Sequence, residues 1–453
     1  MSSIRDFGAK GDGRADDTLA MQHAIEKGDG VVHLPRGEYR LTRPIAVPLD
    51  QWGRLGIHGG GVAKVIMAGA GPAFHLVGTH TQTALPTQFK EGVWQKERMP
   101  HLSDFEIVGA HPQADGIRIE GVMQPTLRGM LIRKCRHGIH LVKRNRNVII
   151  AECHIYDNSG VGVYLDHVNL HQINITGNHI SYCRRAGILV QNGEVRNIQI
   201  VGNDIEYNYA DDGDDCADVY FDARQGTIRE GTIVGCTIQA KHSPNGANVR
   251  IRGGEENPNQ VGLLAITGNL IGSQATAVHL QSCRAISLTG NSIYSGYLNA
   301  IVAENSEGLS LSGNTIDHNP EYQGNSTDAV RFLSCKNITI TGLMMQHTKM
   351  PVQAVEASIT FEKCEQIQLS ASQIIHARTR GLILNECQRV VISGSTILGR
   401  AGDQTYRTPI ELQGKSRDVL IASNLLHSGR DGEWKLPAEA GEATGNRLIH
   451  VPE

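Results

Sequence analysis

The sequence predicts an all-β solenoid in which short strands stack coil upon coil, and three observations carry this prediction. The first is a repeated phrase of alternating apolar and polar residues that ends in Gly-Asn: residues 264–271 read LAITGNLI, 286–293 read ISLTGNSI and 309–316 read LSLSGNTI. The second is the regular spacing of the asparagines 269, 291 and 314, which are 22 and 23 residues apart. The third is a second short alternating segment after each phrase, as at 277–280. A unit this short cannot bury its own apolar face and must stack on its neighbours.

The repeat extends from about residue 102 to about residue 426 and predicts a single-stranded right-handed parallel β-helix. Looser copies of the phrase occur at 148–155 and 173–180 upstream and at 390–395 downstream. The composition of 51 Gly and 5% aromatic residues suits many tight corners between β-branched strands. We therefore expect an N-terminal cap over residues 1–50, the β-helix over 51–430 and a C-terminal tail over 431–453.

At the N-terminus the sequence predicts a capping helix. Residues 4–18 read IRDFGAKGDGRADDT, and Asp16 or Asp17 with Thr18 can cap an amphipathic helix whose Leu19, Met21 and Ile25 face inward. Such a helix would cover the open edge of the first coil, which is otherwise a template for aggregation.

This N-terminal stretch, together with VVHLPRGEY at 31–39, carries a resemblance to a known family. It resembles the signature of the pectate-lyase-like superfamily of right-handed parallel β-helix proteins, which is related to glycoside hydrolase family 28. Polygalacturonase-related proteins, alginate epimerases and phage tailspikes share this signature. The resemblance implies the fold and a role in carbohydrate chemistry, and it leaves the reaction open.

The overall charge and hydropathy exclude several classes of partner. The formal net charge is −3, which gives no reason to expect nucleic acid or membrane binding. No apolar run approaches the ~20 residues of a membrane span, and the first residues lack the pattern of a signal peptide. We expect a chain that is cytoplasmic as given, or secreted with its signal removed. Side-by-side packing into a homo-oligomer is compatible with the fold, and nothing specifies a number.

The positions of the cysteines, of which there are nine, follow the repeat. Four of them, Cys283, Cys335, Cys364 and Cys387, each open a coil. Recurrence at one coil position predicts a buried ladder of small residues. An odd count without CxxC spacing argues against both a disulfide framework and a zinc site.

One long segment interrupts the regular coils. Residues 79–100 are polar, lack an alternating strand pattern and contain Trp94. Loops of this length in a compact fold are usually functional or disordered. We expect this one to project from the helix over a neighbouring groove.

Chemistry in a β-helix needs side chains that point outward, and the alternation of the second strand in each coil identifies them. Successive coils are about 4.8 Å apart, so the outward positions form a polar wall roughly 30 Å tall. The candidate catalytic residues on it are Tyr220, Asp222, Arg250, Arg252, His279 and Glu304. The candidate substrate-binding residues are His140, Tyr164, Asp166, Gln281 and Arg331. Arginine matches carboxylates, and His and Tyr can move protons. The alternative is a solvated face of stacked salt bridges.

An acidic loop precedes this wall at 206–218. It concentrates carboxylates that repel one another unless a cation or an arginine neutralises them. Oxygen ligands of this kind suit Ca²⁺, and the candidate ligands are Asp211, Asp214, Asp215 and Asp218. A solvated acidic turn is the alternative. Residues 213–216, GDDC, also resemble the Gly-Asp-Asp-Cys of polygalacturonases, which carries their acid and water-activating carboxylates.

Two mechanisms compete, and a lyase is preferred. In a lyase, an Arg among 250, 252 and 331 neutralises a uronate carboxylate, and His279 or Tyr220 removes the α proton so that the glycosidic oxygen leaves by β-elimination. In a hydrolase, two carboxylates among 214, 215, 218 and 222 act as acid and base, which requires a separation of ~5 to 9.5 Å.

Other functions remain open alternatives. A resemblance to inulin fructotransferase-type β-helices around 277–280 and 301–305 adds fructosyl transfer, while the epimerase motif Tyr-Gly-x-Asp-Pro-His is absent. A non-catalytic, tailspike-like glycan-binding module is the last alternative. It would need a trimer-forming tail, for which residues 431–453 are too short.

Overall fold

The computed structural model describes residues 1–81, 85–239, 241–257, 260–322, 324–351, 354–431 and 436–450. These residues form mainly short strands, so the predicted all-β class is confirmed. The helical segments are α1 (Thr18–Lys27), α2 (Leu49–Trp52), the 3₁₀ turns Ile4–Phe7 and Pro86–Gln88, and a π-helical turn Val93–Glu97.

Forty-four strands are present among the described residues. The first twenty-one are β1 (Ser2–Ser3), β2 (Asp12–Asp16), β3 (Val31–His33), β4 (Gly37–Leu41), β5 (Ile45–Pro48), β6 (Gly56–Met67), β7 (Gly71–Val77), β8 (His101–Gly109), β9 (Ala114–Met123), β10 (Thr126–Arg128), β11 (Leu131–Arg133), β12 (Ile139–Ala151), β13 (His154–Tyr156), β14 (Val161–Thr176), β15 (His179–Ser181), β16 (Ala186–Gln191), β17 (Glu194–Val201), β18 (Asp204–Glu206), β19 (Cys216–Ala223), β20 (Thr227–Val234) and β21 (Thr237–Gln239). The others are β22 (Gly246–Gly253), β23 (Val261–Thr267), β24 (Leu270–Gly272), β25 (Thr276–Gln281), β26 (Arg284–Thr289), β27 (Ser292–Tyr294), β28 (Asn299–Glu304), β29 (Glu307–Ser312), β30 (Thr315–Asp317), β31 (Ala329–Leu333), β32 (Lys336–Thr341), β33 (Met344–Gln346), β34 (Ile359–Glu362), β35 (Glu365–Ser370), β36 (Gln373–Ala377), β37 (Arg380–Asn385), β38 (Gln388–Ser393), β39 (Thr396–Gly399), β40 (Thr408–Gln413), β41 (Arg417–Ala422), β42 (Leu425–His427), β43 (Gly441–Thr444) and β44 (Arg447–Ile449).

The chain forms two compact units. The first comprises residues 1–210 and 215–232, and the second comprises residues 211–214 and 233–453. Within the second unit the strands from β21 to β39 pair in parallel with the strand three places later, as β25 does with β28 and β28 with β31. This spacing gives three sheets. Sheet 1 contains β22, β25, β28 and β31, sheet 2 contains β23, β26 and β29, and sheet 3 contains β24, β27 and β30.

The first unit has the same parallel pairing with longer strands. Its sheet 1 runs through β5, β7, β9, the start of β12, the start of β14, β16 and β19. Its sheet 3 includes β11, β13, β15 and β18. Strand pairing also crosses both boundaries predicted from the sequence, because Gly37 pairs with Ala63 and Val419 pairs with Gly441. Residues before 51 and after 430 therefore contribute strands to the coils.

The asparagines of the repeated phrase form a ladder inside the second unit. The side chain of Asn291 accepts from the backbone and side-chain nitrogens of Asn269, and it donates to Ile266 O and Asn314 Oδ1. All three asparagines are buried. Because buried polar groups must be paired, this ladder explains why the phrase keeps Asn after Gly at each corner.

The cysteines also occupy interior positions. All nine are buried with free thiols, and the backbone N–H of Cys335 lies 3.4 Å from Sγ of Cys364 in the next coil. The predicted buried ladder is confirmed.

The predicted N-terminal helix is present, but one of the residues predicted to face inward is exposed. Met21 and Ile25 are buried as predicted, but Leu19 is 58% exposed. The carboxylate of Asp17 does not cap the helix, because it accepts from the backbone N–H groups of Lys10 and Gly11. Asp16 accepts from the backbone N–H of Thr18 instead. The acidic pair thus ties the preceding loop to the helix.

Candidate functional site

Sheet 1 of the first unit aligns one outward side chain from each of four strands. Registered pairs join His75 to Arg118, Arg118 to His140 and His140 to Tyr164. Their strand neighbours, such as Ile139 and Leu141, point into the core. Adjacent strands are about 4.8 Å apart, so these side chains form a continuous column. We call the following group the His140 site: His75, Arg118, Glu120, His140, Tyr164 and Asp166.

The predicted residues His140 and Asp166 form an ion-pair contact in this site. Nε2 of His140 lies 3.0 Å from Oδ2 of Asp166, whose other oxygen is 2.6 Å from Nδ1 of His167. The hydrogen bond to His140 and then that to His167 hold the pKa of Asp166 well below its usual range. An ionised carboxylate only accepts, so Nε2 of His140 carries a proton and the lone pair of the neutral ring is on Nδ1. Among the described residues, that Nδ1 has no hydrogen-bond partner.

Tyr164 stacks on His140. Their ring centroids are 5.0 Å apart with an interplanar angle of 4°, and the phenol donates to Oε1 of Gln191 at 2.5 Å. Burial raises the pKa of Tyr164, so the phenol keeps its proton at neutral pH. His137 lies beside both rings, and burial lowers its pKa to about 4. The site thus places a protonated phenol next to an uncharged imidazole.

Arg118 and Glu120 extend the site by one strand. Oε2 of Glu120 lies 3.6 Å from a guanidinium nitrogen of Arg118 and 3.7 Å from Nε2 of His75, and Lys143 donates to Oε1 at 3.0 Å. Burial is the largest single effect on Glu120 and opposes its ionisation, but the hydrogen bond from Lys143 and the charges of His75, Lys143 and Arg118 together lower the pKa of Glu120. The Arg118 side chain is 36% exposed, so its guanidinium can reach an anionic ligand.

A cavity of about 700 Å³ borders this site. Its lining includes Thr79, His80, Glu120, Lys143, Arg144 and Glu194. Nε of Arg144 donates to Nε2 of His80 at 3.1 Å, which attaches the 79–100 segment to β12. Glu97 is buried and accepts from the backbone and hydroxyl of Thr79, which closes the segment on itself. The segment that the sequence predicts to lie over a groove therefore forms part of the cavity wall.

In the second unit, Arg250, His279 and Glu304 are linked into a chain. A guanidinium nitrogen of Arg250 lies 3.2 Å from Nδ1 of His279, and Nε2 of His279 lies 3.4 Å from Oε2 of Glu304. A guanidinium only donates, so Nδ1 of His279 accepts and the proton is on Nε2. The contact with His279 lowers the pKa of Glu304. With both ring nitrogens engaged, His279 is placed to position Arg250 and Glu304, in contrast to the base role that the sequence predicts.

The remaining second-unit residues form a more open surface. Nε of Arg252 donates to Oε1 of Gln281 at 2.8 Å, and Arg331 is exposed in the same column as His279. A cavity of about 340 Å³ is lined in part by Arg331, Leu298 and Thr327. A second cavity of about 510 Å³ shares Leu298 and Thr327 and is lined also by His242 and Tyr297. Arg331 thus lies at the edge of a partly aromatic cleft.

The acidic residues predicted as metal ligands or hydrolytic carboxylates have different environments. Asp218 is fully buried, and its Oδ1 accepts from both nitrogens of Asn208, so we assign it to the turn and not to a cation. Asp222 is 1% exposed and is held by both arms of Arg224, at 2.9 and 2.7 Å.

The other predicted acidic positions divide between the units. Asp211 and Asp214 are exposed in the second unit, and Asp215 belongs to the first. Asp211 lies 3.8 Å from Lys241. Tyr220, the predicted alternative base, is 2% exposed, so its phenol is poorly placed to reach a substrate. Asp218 faces inward and is therefore unavailable to the calcium site that the sequence suggests, which stays a prediction for Asp211, Asp214 and Asp215.

Sequence reasoning missed His75, Arg118 and Glu120. Each follows the same alternation, as in Phe74-His75-Leu76 and Ile117-Arg118-Ile119. They precede the region where the Gly-Asn phrase marks the coils, and the 79–100 segment separates the strand of His75 from that of Arg118 and Glu120. The alternation of apolar and polar residues was the one sequence signal that could have identified these three residues.

Comparison with known families supports the fold. A family model described as "Right handed beta helix region" matches residues 103–232 and 217–433. The chain belongs to the right-handed β-helix family. A second model, described as "Rhamnogalacturonase A/epimerase, pectate lyase-like", matches residues 1–70 of this β-helix protein. The predicted resemblance to the pectate-lyase-like superfamily is confirmed.

Curated relatives match only a short part of this β-helix protein. Alginate lyase 7 of Azotobacter vinelandii is 54% identical over 44 residues, which are 9% of this chain and 5% of the relative. Mannuronan C5-epimerase AlgE3 of the same organism is 52% identical over 44 residues, or 9% of this chain and 2% of the relative. The chain therefore spans a small fraction of the length of these relatives.

A solved structure is similar over most of the chain. The tailspike protein of E. coli bacteriophage HK620, determined with a pentasaccharide, has a TM-score of 0.56 and 12% identity, and the match covers 92% of this chain and 80% of the tailspike. At that identity the likeness concerns the fold. Within the described residues, no helix is long and apolar enough to cross a membrane.

Proposed function

We propose that this protein is a carbohydrate-active enzyme that cleaves an acidic, uronate-containing polysaccharide by β-elimination at the His140 site. The observation that carries the proposal is the unbroken column of Arg118, His140 and Tyr164. Glu120, two residues after Arg118 in the same strand, lines the 700 Å³ cavity. A guanidinium, an imidazole and a phenol on adjacent strands are the groups that this reaction needs.

Substrate recognition falls to Arg118. A guanidinium pairs well with a planar carboxylate, and this one is 36% exposed. Neutralising the uronate carboxylate stabilises the negative charge that develops when the adjacent C5 proton is removed. Arg331, which lines a cavity of the second unit, is a separate candidate contact for an acidic sugar.

The stacked residues His140 and Tyr164 carry out the proton transfers. Asp166 holds His140 with a proton on Nε2, which leaves Nδ1 to take the C5 proton. Nδ1 is buried in the free chain, so this step requires the bound sugar to displace the groups that cover it. The electron pair of that C–H bond forms the C4–C5 double bond, and the bond from C4 to the glycosidic oxygen breaks. Tyr164 gives its proton to the leaving oxygen. The raised pKa of Tyr164 keeps it in the acid form that this role requires.

Hydrolysis is the second candidate, because the separation between two carboxylates of the site favours it. Glu120 and Asp166 both register with Val142, so they lie two strands apart, about 9.6 Å by strand spacing. That is near the upper end of the separation in inverting glycosidases. However, the pKa values of both carboxylates are lowered, so neither holds the proton that a general acid must supply at neutral pH. The electrostatics therefore favour elimination.

The relatives support the choice of ligand class. The short curated matches are named for alginate and mannuronan, which are uronate polymers. The structurally similar tailspike was determined with a pentasaccharide. These likenesses support an acidic glycan as the ligand, and the chemistry of the His140 site supports the reaction.

The test is a screen of uronate-containing and neutral glycans that follows absorbance near 235 nm and new reducing ends together. We expect absorbance with the acidic glycans, its loss in His140→Ala and a fall of about 10² to 10⁴-fold in kcat for Tyr164→Phe. Tyr156→Phe, in sheet 3 of the same unit, is the matched control and should keep full activity.

Three outcomes would overturn the assignment. Reducing ends without absorbance would replace elimination by hydrolysis. Solvent deuterium incorporation at C5 without cleavage would indicate epimerisation. Absorbance that survives Tyr164→Phe but is lost in Arg331→Ala would move the site to the second unit.

A further inference from the structure

A group of possible ligands lies on sheet 3 of the first unit, away from the strands of the His140 site. Strands β15 and β18 pair in parallel, with His179 opposite Asp204 and Ser181 opposite Glu206. Asp204 and Glu206 are two residues apart in one strand, so their side chains share a face. His179 is directly beside them, and all three are partly exposed.

The spacing of the three side chains suits a metal ion. Nε2 of His179 is 3.5 Å from Oε1 of Glu206 and 3.9 Å from Oδ2 of Asp204, and the three atoms lie within 4.8 Å of one another. These separations exceed a normal hydrogen bond. They are close to the ~3.4 Å between neighbouring ligand atoms of a tetrahedral ion with bonds of about 2.1 Å.

A second observation points to a ligand. Nε2 of His179 is buried and, among the described residues, has no hydrogen-bond partner, although it faces two carboxylates. A buried ring nitrogen without a partner is uncommon and calls for an explanation.

We infer that His179, Asp204 and Glu206 bind a divalent transition metal of the Zn²⁺ class. One imidazole nitrogen and two carboxylate oxygens are a mixed donor set that Zn²⁺ accepts and that Ca²⁺, which takes oxygen ligands, does not favour. The ring of His154 in the preceding coil lies 5.9 Å from that of His179 and packs edge-on against it. The ion would link consecutive coils through β15 and β18.

This inference is independent of the proposed reaction, since its site is on another sheet. The first test is calorimetric titration of the full chain with ZnCl₂ after treatment with chelator. We expect one saturable site and a rise in melting temperature with zinc, because a ligand that binds only the folded state stabilises it. Asp204→Asn and Glu206→Gln should each weaken binding at least tenfold.

Glu152→Gln is the matched control. Its carboxylate is exposed and ion-paired with Arg128 in the same unit, so zinc binding should not change. Co²⁺ gives an independent measurement, since a four-coordinate site with a nitrogen ligand should show visible absorption bands that disappear in His179→Gln. Absence of saturable zinc binding, or binding that is unchanged in both carboxylate variants, would overturn the inference. Tighter binding of Ca²⁺ than of Zn²⁺ would also overturn it.

Discussion

Replacing Asn291 by alanine should remove one rung of the interior ladder at a cost that can be worked out from its contacts. The Asn291 side chain makes four hydrogen bonds: two accepted from Asn269, one donated to Ile266 O and one donated to Asn314 Oδ1. Each contributes about 1 kcal/mol net, so Asn291→Ala should lower the free energy of unfolding by about 4 kcal/mol. The buried partners that lose their hydrogen bonds make this cost larger than for an exposed asparagine.

Serine should be a milder replacement, because the ladder already contains serine elsewhere. Oγ of Ser372 accepts from the backbone N–H of Leu343 and donates to Ser370 O. Asn291→Ser therefore keeps an acceptor for the backbone N–H of Asn269 and should lose about 1 kcal/mol less than alanine does.

The assay is urea denaturation followed by far-ultraviolet circular dichroism, with Asn174→Ala as the control at an exposed outward position. The control should change the free energy of unfolding by less than about 0.5 kcal/mol. A loss below about 1 kcal/mol for Asn291→Ala, or a serine variant less stable than the alanine variant, would refute the ladder as a main source of stability.

Two further predictions concern charge. Burial raises the pKa of Asp328 to about 7. Between about pH 4 and pH 7 the folded state therefore keeps a proton on this carboxyl that the unfolded chain has released. The contribution of Asp328 to the free energy of unfolding consequently falls as the pH rises from about 4 through 7. Asp328→Asn should therefore raise the melting temperature at pH 8 relative to the parent and give little gain at pH 4, and an equal gain at both pH values would contradict this account. Arg331→Ala should weaken the binding of uronate oligosaccharides about tenfold and leave kcat unchanged, and Arg331→Lys should weaken binding less. Titration calorimetry would measure both effects, and we expect the binding of neutral oligosaccharides to be unaffected.

Much of the fold follows from local sequence. The Gly-Asn phrase at 286–293 predicts a strand, a corner and the next strand, and the spacing of 22 to 23 residues predicts stacking. The Asn269 to Asn314 ladder and the buried cysteines are direct consequences of that spacing. The boundaries were harder to predict, because β43 and β44 lack the phrase and are recognised only by their pairing.

The candidate site was predicted in part. Alternation identified His140, Tyr164 and Asp166 as outward neighbours, and the structure brings them into contact. It could not show that Leu189 and Tyr220, which alternation also places outward, are almost fully covered. The sequence places Asp218 in an acidic loop and so assigns it to a cation, whereas the structure places it in β19 with its side chain buried.

Sequence alone determined the class of fold, the order of its coils and which strand faces are polar, because those depend on periodicity within about 25 residues. Tertiary structure decided which polar residues are chemically available. Arg250 and Glu304 engage both nitrogens of His279, whereas His140 keeps a lone pair on Nδ1 beside Arg118 and Tyr164. Hydrogen-bond partners and burial set protonation, and in a solenoid these partners come from neighbouring coils, so they emerge only when the coils are stacked.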